Sequence, residues 1–435
     1  MNGRFTINLY KLFTVFVVLF PICPVYFFFQ TYSVRDLLIY GFSLICVVFR
    51  LKSGFTIRTS KRIIPFLVSM VVSYSILAVV QIIHAEYSLA AKQIIMWILI
   101  AVICSQIIKT KEQFLSIIDT LILVGIIIGI FGIVEEFTHY NVFEIFNTYN
   151  GALNYNASRL GIFRIISFTS HAITYSLYCM FLLTLTFYRI MTSKKRIFII
   201  AYIIFVMNII FTLSRSVIMI TIGSQLLLLF LCGYQKFVKT VLKLLFIGIV
   251  LVVIACLFSQ QIRNMLVTSW YVFMAIFDSS YVPILRSMGF TDNTAGIGNR
   301  FDLYGWVFQQ LKPNYLLGKG RYGNFSVNIV SSGYSTVKTS IEVEWLQTLF
   351  RYGFVGLISE VYFYIKALGT SRKGIKRETV WENKISFSKV MFVILVAYVC
   401  ESFAMMFNNE QQLFLIIVIL FLAYNINDGF SEEII

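Results

Sequence analysis

The stretch that decides the fold is "IFIIAYIIFVMNIIFTLSRSVIMITIGSQLLLLFLC", residues 197–232. As a single helix it would be about 54 Å long, against a bilayer hydrocarbon core of roughly 30 Å. It therefore has to turn, and its one polar interruption, "TLSRS" at 212–216, is where the turn falls. The stretch reads as a helical hairpin with Arg215 at its tip. An arginine at mid-bilayer costs about 2.5–3.5 kcal/mol on insertion scales. At a tip it costs less, because the side chain snorkels to the interface. There Arg215 either anchors the hairpin at lipid headgroups or serves a site on that face.

The rest of the chain follows the same pattern. Of its 435 residues 59% are hydrophobic and only 13% charged, where a soluble domain carries about 25% charged residues. Long continuous apolar runs recur throughout, which predicts an all-α polytopic membrane protein and argues against a β-barrel, whose strands alternate. About twelve transmembrane helices are expected, near 12–29, 37–49, 63–83, 90–108, 115–134, 165–188, 197–213, 216–232, 244–260, 343–365, 389–406 and 412–426. The chain divides into helices 1–9 (residues 1–260), one large extracytoplasmic loop between helices 9 and 10 (261–342), and helices 10–12 (343–435). Leu12 to Phe29 follows Arg4 and Lys11 without a small-residue cleavage motif, so it reads as a first span rather than a removed signal.

The formal net charge is +16. Of the 36 lysines and arginines, 23 fall in one set of loops, which the positive-inside rule makes cytoplasmic. Both termini lie on that side, as an even number of spans requires. There is no basic arm interleaved with aromatics, so no nucleic-acid partner is expected. The seven cysteines lie in or beside apolar runs, without a CxxC pair, and read as small buried hydrophobes.

The outer loop is not low-complexity. It holds Trp270, Trp306 and turn signals at "DNTAGIGN" and "GKGRYGNF". A small folded cap is expected, with a short helix over 300–311. No internal repeat is visible, which disfavours a transporter of lipid-linked sugar.

Metal chemistry has no anchor: HExxH, Cys/His clusters and an outer DxD pair are all missing, and so is GxSxG. No cofactor and no metal are expected. What remains is a set of arginines on the outer face with few acids nearby. They are Arg159 and Arg164 in "SRLGIFRIISFTSH", Arg215, Arg300, and Arg321 in "GKGRYGNF". Arginine suits phosphate because its planar fork makes bidentate, charge-assisted bonds and stays protonated. Such a set can stabilise a departing pyrophosphate without a metal. An acceptor hydroxyl would benefit from a carboxylate base. In "SIEVEWLQTLFRYGFVGL" (340–357), Glu342 and Glu344 are the candidates, with Glu342 ahead of Glu344. They point about 200° apart on a helix, so only one can face a given site. A carboxylate in the first turn is also explained by the helix dipole alone. His171 is a further candidate, with an ordinary interfacial histidine as the alternative.

In order and spacing, these residues resemble the bacterial O-antigen ligase and O-antigen (capsule) polymerase superfamily. The matching pieces are "TLSRS", Arg300 followed by Trp306, "YLLGKGRYGNF" at 315–325 and "EVEWLQTLFRYGFVGL" at 342–357, with "RLGIFRIISFTSHAITYSL" as a looser match. The resemblance implies a metal-independent, polyprenyl-pyrophosphate-dependent glycosyltransferase in the bacterial inner membrane. Its substrate would be an undecaprenyl-pyrophosphate-linked glycan, moved from its reducing end to an acceptor hydroxyl on the outer face. The positions matching Arg215 and Arg300 are implied to hold the pyrophosphate. Ligases of the family have a histidine where this chain has Glu342, which favours the polymerase branch of O-antigen or capsule polysaccharide biosynthesis over transfer to lipid A-core. A flippase and a chain-length regulator are the implied protein partners.

Overall fold

The computed structural model describes residues 8–24, 26–29, 32–53, 58–148, 158–159, 162–233, 280–287, 298–331, 334–378, 385–403 and 410–427, with position 429 and single positions between 239 and 271. The expected ninth span, 244–260, lies almost wholly outside the described residues, as do parts of the 261–342 loop.

The architecture is helical. In chain order the helices are α1 Leu9–Ile22, α2 Val34–Ser53, α3 Ile64–Ile83, α4 Tyr87–Ser105, α5 Lys111–Thr138, α6 Ala172–Thr192, α7 Ile197–Phe211 and α8 Arg215–Cys232. They continue with α9 Tyr281–Ser287, α10 Gly298–Leu311, α11 Glu344–Glu378, α12 Phe387–Ser402 and α13 Glu410–Ile426. Among the described residues, α3, α4, α5, α6 and α8 are long and apolar enough to cross a membrane. The strands form three two-stranded antiparallel hairpins, Phe28–Phe29 with Tyr32–Ser33, Ser158–Arg159 with Ile162–Phe163, and Val327–Ser331 with Tyr334–Lys338.

The 197–232 stretch folds as a hairpin. Its turn occupies 212–214, with Leu213 in the left-handed region at φ 50°. The first helix is shorter than the apolar run suggests. Pro21 and Pro24 end it, since proline cannot continue the hydrogen-bond ladder, and the chain passes into the Phe28–Phe29 strand.

Two helices occupy the centre. Residues 413–423 of α13 are buried without a break, and α6 is buried along most of its length. Helices apolar on all sides belong in such interiors. On α5, Gly125, Gly129 and Gly132 share a face against α6 and α7. A Cβ at Gly125 would meet Leu182 and Phe205, and one at Gly132 would meet Asn208 and the Tyr175 hydroxyl. Asn208 uses the gap, donating to the Gly129 carbonyl at 3.0 Å and accepting from Tyr175 at 2.8 Å. Small residues permit this close backbone approach where lipid offers no hydrophobic drive between helices.

The expected tenth span, 343–365, is not one straight helix. Gly353, at φ 65° and ψ −166°, interrupts α11. In a straight helix residues twelve apart stand about 18 Å apart, yet the Thr348 hydroxyl donates to Glu360 Oε2 at 2.8 Å. Trp345 and Tyr364, nineteen apart, have ring centroids 5.7 Å from each other. The two limbs therefore double back at Gly353. The first limb is a short half-helix, and the second runs on to 378.

The break is filled from residues 315–320. Lys319 and Gly320 donate their N–H groups to the carbonyls of Phe350 (2.8 Å) and Arg351 (3.0 Å), while Phe354 and Val355 donate to Tyr315 (2.9 Å) and Leu316 (3.1 Å). Four backbone groups that the broken helix cannot pair internally thus find partners in "YLLGKG". The expected short helix over 300–311 is α10. Its Leu303, Val307 and Leu311 pack with Phe325, Ile341, Val343, Leu346, Leu349 and Phe350 into a second small core, which seats the half-helix.

Candidate functional site

The doubled-back α11 borders a cavity of about 590 Å³. Its walls come from the starts of α2 and α13, the last turns of α3, the first half of α4, both limbs of α11, and Tyr398 of α12. Most of these positions lie toward one end of the bundle, where Arg321 and Ser170 also reach it.

Four cations line this chamber, Arg35, Lys92, Arg321 and Arg351, together with three carboxylates, Asp36, Glu344 and Glu360. Lys92 is ion-paired to Asp36. With the Gln412 amide turned to suit its neighbours, its oxygen accepts from Arg35 Nε (3.2 Å) and Nη1 (2.7 Å), and its nitrogen donates to the Phe20 carbonyl (2.8 Å). Glu360 accepts from Thr348 and, at 3.3 Å, from the Tyr364 hydroxyl. Glu344 is the first residue of the half-helix, where the dipole favours a negative charge. The backbone bonds between 315–320 and 350–355 form a clamp, and Arg321 follows its Gly318 and Gly320; the Arg321 backbone N–H is held by the carboxylate of Glu86. His84 Nε2 lies 3.0 Å from the Leu317 carbonyl, and Gln81 donates to the Tyr352 hydroxyl at 3.0 Å. The end of α3 thus fixes both the clamp and the limb that carries Arg351.

The sequence candidates distribute as follows. Glu344 and Arg321 line the chamber. Glu342 does not; its side chain is 50% exposed and pairs with Lys338 at 3.2 Å. Arg164 braces the α7–α8 turn, donating from Nε to the Thr212 carbonyl (2.8 Å) and from Nη2 to the Ser214 hydroxyl (3.3 Å). Arg215 is half-buried and opens α8, and the next residue, Ser216, donates to the buried Glu401 of α12 at 2.9 Å. One residue beyond α12, the Phe403 ring lies tilted against Trp345 with centroids 5.5 Å apart, so the hairpin turn and the start of the half-helix belong to the same end of the bundle. Arg300 stands in the first turn of α10 and Arg159 in the third strand; their side chains lie outside the described residues.

His171 caps α6, its Nδ1 accepting from the Ile173 N–H at 3.2 Å. Burial pushes its pKa below the ordinary histidine value, the Arg164 charge lowers it further, and Glu342 opposes both. An imidazole held neutral in this way makes the acceptor role of Nδ1 self-consistent.

Sequence reasoning passed over Arg35, Lys92, Arg351 and Glu360 as site residues. Each was visible as an ionisable residue inside or at the edge of an apolar run. Intramembrane charges are by default functional candidates. Their convergence depended on α11 doubling back, which periodicity does not reveal.

A many-helix bundle enclosing a chamber with both cations and carboxylates defines a multi-pass membrane protein with an internal polar site. Residues 199–359 match the family model described as O-antigen ligase. This segment, a little over a third of the chain, is similar to the O-antigen ligase and polymerase superfamily of membrane glycosyl-transferring proteins. The matched segment supplies the α7–α8 hairpin, the clamp and the half-helix, while Arg35, Lys92 and Glu360 lie outside it, Glu360 just past its end. No curated protein matches the chain.

Proposed function

We propose that the protein polymerises undecaprenyl-pyrophosphate-linked oligosaccharide repeat units into O-antigen or capsule polysaccharide, without a metal, on the outer face of the bacterial inner membrane. Both termini would then be cytoplasmic. The observation that carries this is a single one: Glu344 shares one chamber with Arg321 and Arg351.

The chemistry follows from that juxtaposition. An acceptor sugar hydroxyl attacks the anomeric carbon of the donor glycan. The new C–O bond forms as the bond to the pyrophosphate oxygen breaks, and its electrons leave with the pyrophosphate. Arg321 and Arg351 stabilise that charge as fixed cations in a low-dielectric chamber. Glu344 takes the hydroxyl proton. Arg215, with Arg164 bracing its turn, and Arg300 hold the lipid-linked donor at the rim, as the family resemblance implies. Glu342, spent on Lys338, is the weaker base. A flippase would deliver the donor, and a chain-length regulator would set the product.

The family description itself favours a second reading, transfer of glycan to lipid A-core. One experiment separates the two. The gene is deleted in its host and complemented with wild type, Glu344→Gln or Arg351→Ala, and surface glycan is resolved on gels. A polymerase deletion leaves core plus one unit, whereas a ligase deletion leaves polymer unattached to core. Both variants are expected to behave as the deletion while reaching wild-type levels in the membrane. A full ladder from Glu344→Gln would remove Glu344 as the base.

A further inference from the structure

One part of the chamber's wall carries groups that a pyrophosphate does not need. Glutamine amides reach it from four elements: Gln81 of α3, Gln93 of α4, Gln347 of the half-helix, and Gln411 and Gln412 of α13. Gln81 is only 3% exposed. Its nitrogen is satisfied by Tyr352, but its Oε1 is buried without a hydrogen-bond partner. A buried acceptor left unmade costs about 1–3 kcal/mol, so a ligand hydroxyl that donates to it would be stabilised. Tyr74 and Trp97, beside it, are stacked face to face with centroids 4.6 Å apart and planes 7° apart. Glu360 lines the same chamber, already oriented by Thr348 and Tyr364.

A lipid tail has no use for amides or a carboxylate. A phosphate is repelled by Glu360 and gains nothing from a glutamine oxygen. A sugar ring fits both features. Its hydroxyls donate to and accept from amides and carboxylates, and its C–H faces lie on aromatic planes. The volume is within the range of about 300–1,000 Å³ usual for small-ligand sites.

We infer that this wall, formed by Gln81, Gln93, Glu360, Tyr74 and Trp97, is the subsite for the sugar of the acceptor glycan, and that it selects which hydroxyl is presented to Glu344. The inference rests on the polymerase reading for the word acceptor, but the sugar-binding site itself does not. The donor is fixed at its pyrophosphate, beside the cations; the carboxylate wall is left for the partner that brings a hydroxyl.

The probe is the free repeat-unit oligosaccharide, released by mild acid from the host's own lipid-linked material and carrying no phosphate. Calorimetric titration into the purified full-length protein in nanodiscs should show saturable binding. Gln81→Leu and Glu360→Gln should each weaken it about tenfold, the cost of one buried hydrogen bond. Gln93→Ala, at a half-buried position, keeps the test open if Gln81→Leu misfolds. No saturable binding at millimolar oligosaccharide, or variants that bind like wild type, would overturn the proposal. In turnover with lipid-linked donor, the same variants should raise KM for the free oligosaccharide about tenfold with kcat retained. A fall in kcat at unchanged KM would overturn it as well. Wild type that binds the oligosaccharide but forms no polymer refutes the polymerase reading alone and leaves the sugar subsite standing.

Discussion

Gly353→Ala tests whether the doubled-back helix is real and required. At φ 65° and ψ −166°, Gly353 occupies a region open essentially to glycine alone, and forcing alanine there costs about 1–3 kcal/mol. The added methyl would also run into the Leu316 carbonyl and lie 2.6 Å from the Gly318 nitrogen. Relief means pushing the clamp away, which loosens the bonds from Phe354 to Tyr315 and from Val355 to Leu316. Each is worth about 0.5–1.5 kcal/mol. The total loss is about 2–6 kcal/mol, a large share of the roughly 5–15 kcal/mol that typically stabilises a fold. Thermal unfolding of the detergent-purified protein should show a clear drop in Tm, and the glycan ladder in cells should collapse. Gly369→Ala is the matched control. It sits in the same helix with nothing within 4 Å of an added Cβ, and helix propensity favours alanine by about 1 kcal/mol. If the two variants unfold at the same temperature, the break at Gly353 is not the constraint described here.

Other perturbations probe the surrounding supports. Arg189 grips Asp119 with two nitrogens, Nη2 at 3.0 Å from Oδ2. Arg189→Met strands the carboxylate and should cost about 3 kcal/mol, much of which the double change with Asp119→Asn should recover in a denaturation cycle. Glu135 accepts the backbone N–H groups of Ile166 (3.1 Å) and Ser167 (2.8 Å); Glu135→Ala leaves both amides buried and should lower stability by about 2–3 kcal/mol in the same assay. For His171 the folded pKa lies below the ordinary value, so the unfolded chain takes up the proton first. Its contribution is present above about pH 6.5 and is lost as pH falls below that value. His171→Asn keeps a cap without titrating, and should flatten the fall in Tm between about pH 7 and 5. An unchanged slope would mean that another group sets it.

The sequence announced the membrane class and the hairpin at 212–214 because both rest on length, and length against a bilayer is a hard constraint. The helix at 300–311 was legible from a polar-apolar pattern closed by Pro313. The half-helix was not, since "EWLQTLFRYGFVGLISEVYFYI" reads as one span until the twelve-residue contact between Thr348 and Glu360 is known. The chamber was hidden for the same cause. Glu344 and Arg321 were named from their chemistry, whereas Arg35, Lys92 and Arg351 looked like scattered outer cations until α2, α4 and α11 were folded together. Glu342 and Glu344 could be known to diverge from spacing alone, but which of them faced the chamber depended on Lys338, set by the neighbouring strand.

The clamp between 315–320 and 350–355 has a consequence for how such a chain can change. Residues 321–349 leave that point and return to it, so they form a closed excursion whose length is uncoupled from the helices beneath. The Val327–Ser331 and Tyr334–Lys338 hairpin, within that excursion, can gain or lose residues at its turn without shifting Gly353. The two six-residue segments of the clamp have no such freedom, because each backbone bond across it counts in step with its partner. Variation in length can therefore accumulate in the excursion while the clamp stays fixed, and a tag or a grafted segment belongs between those two strands.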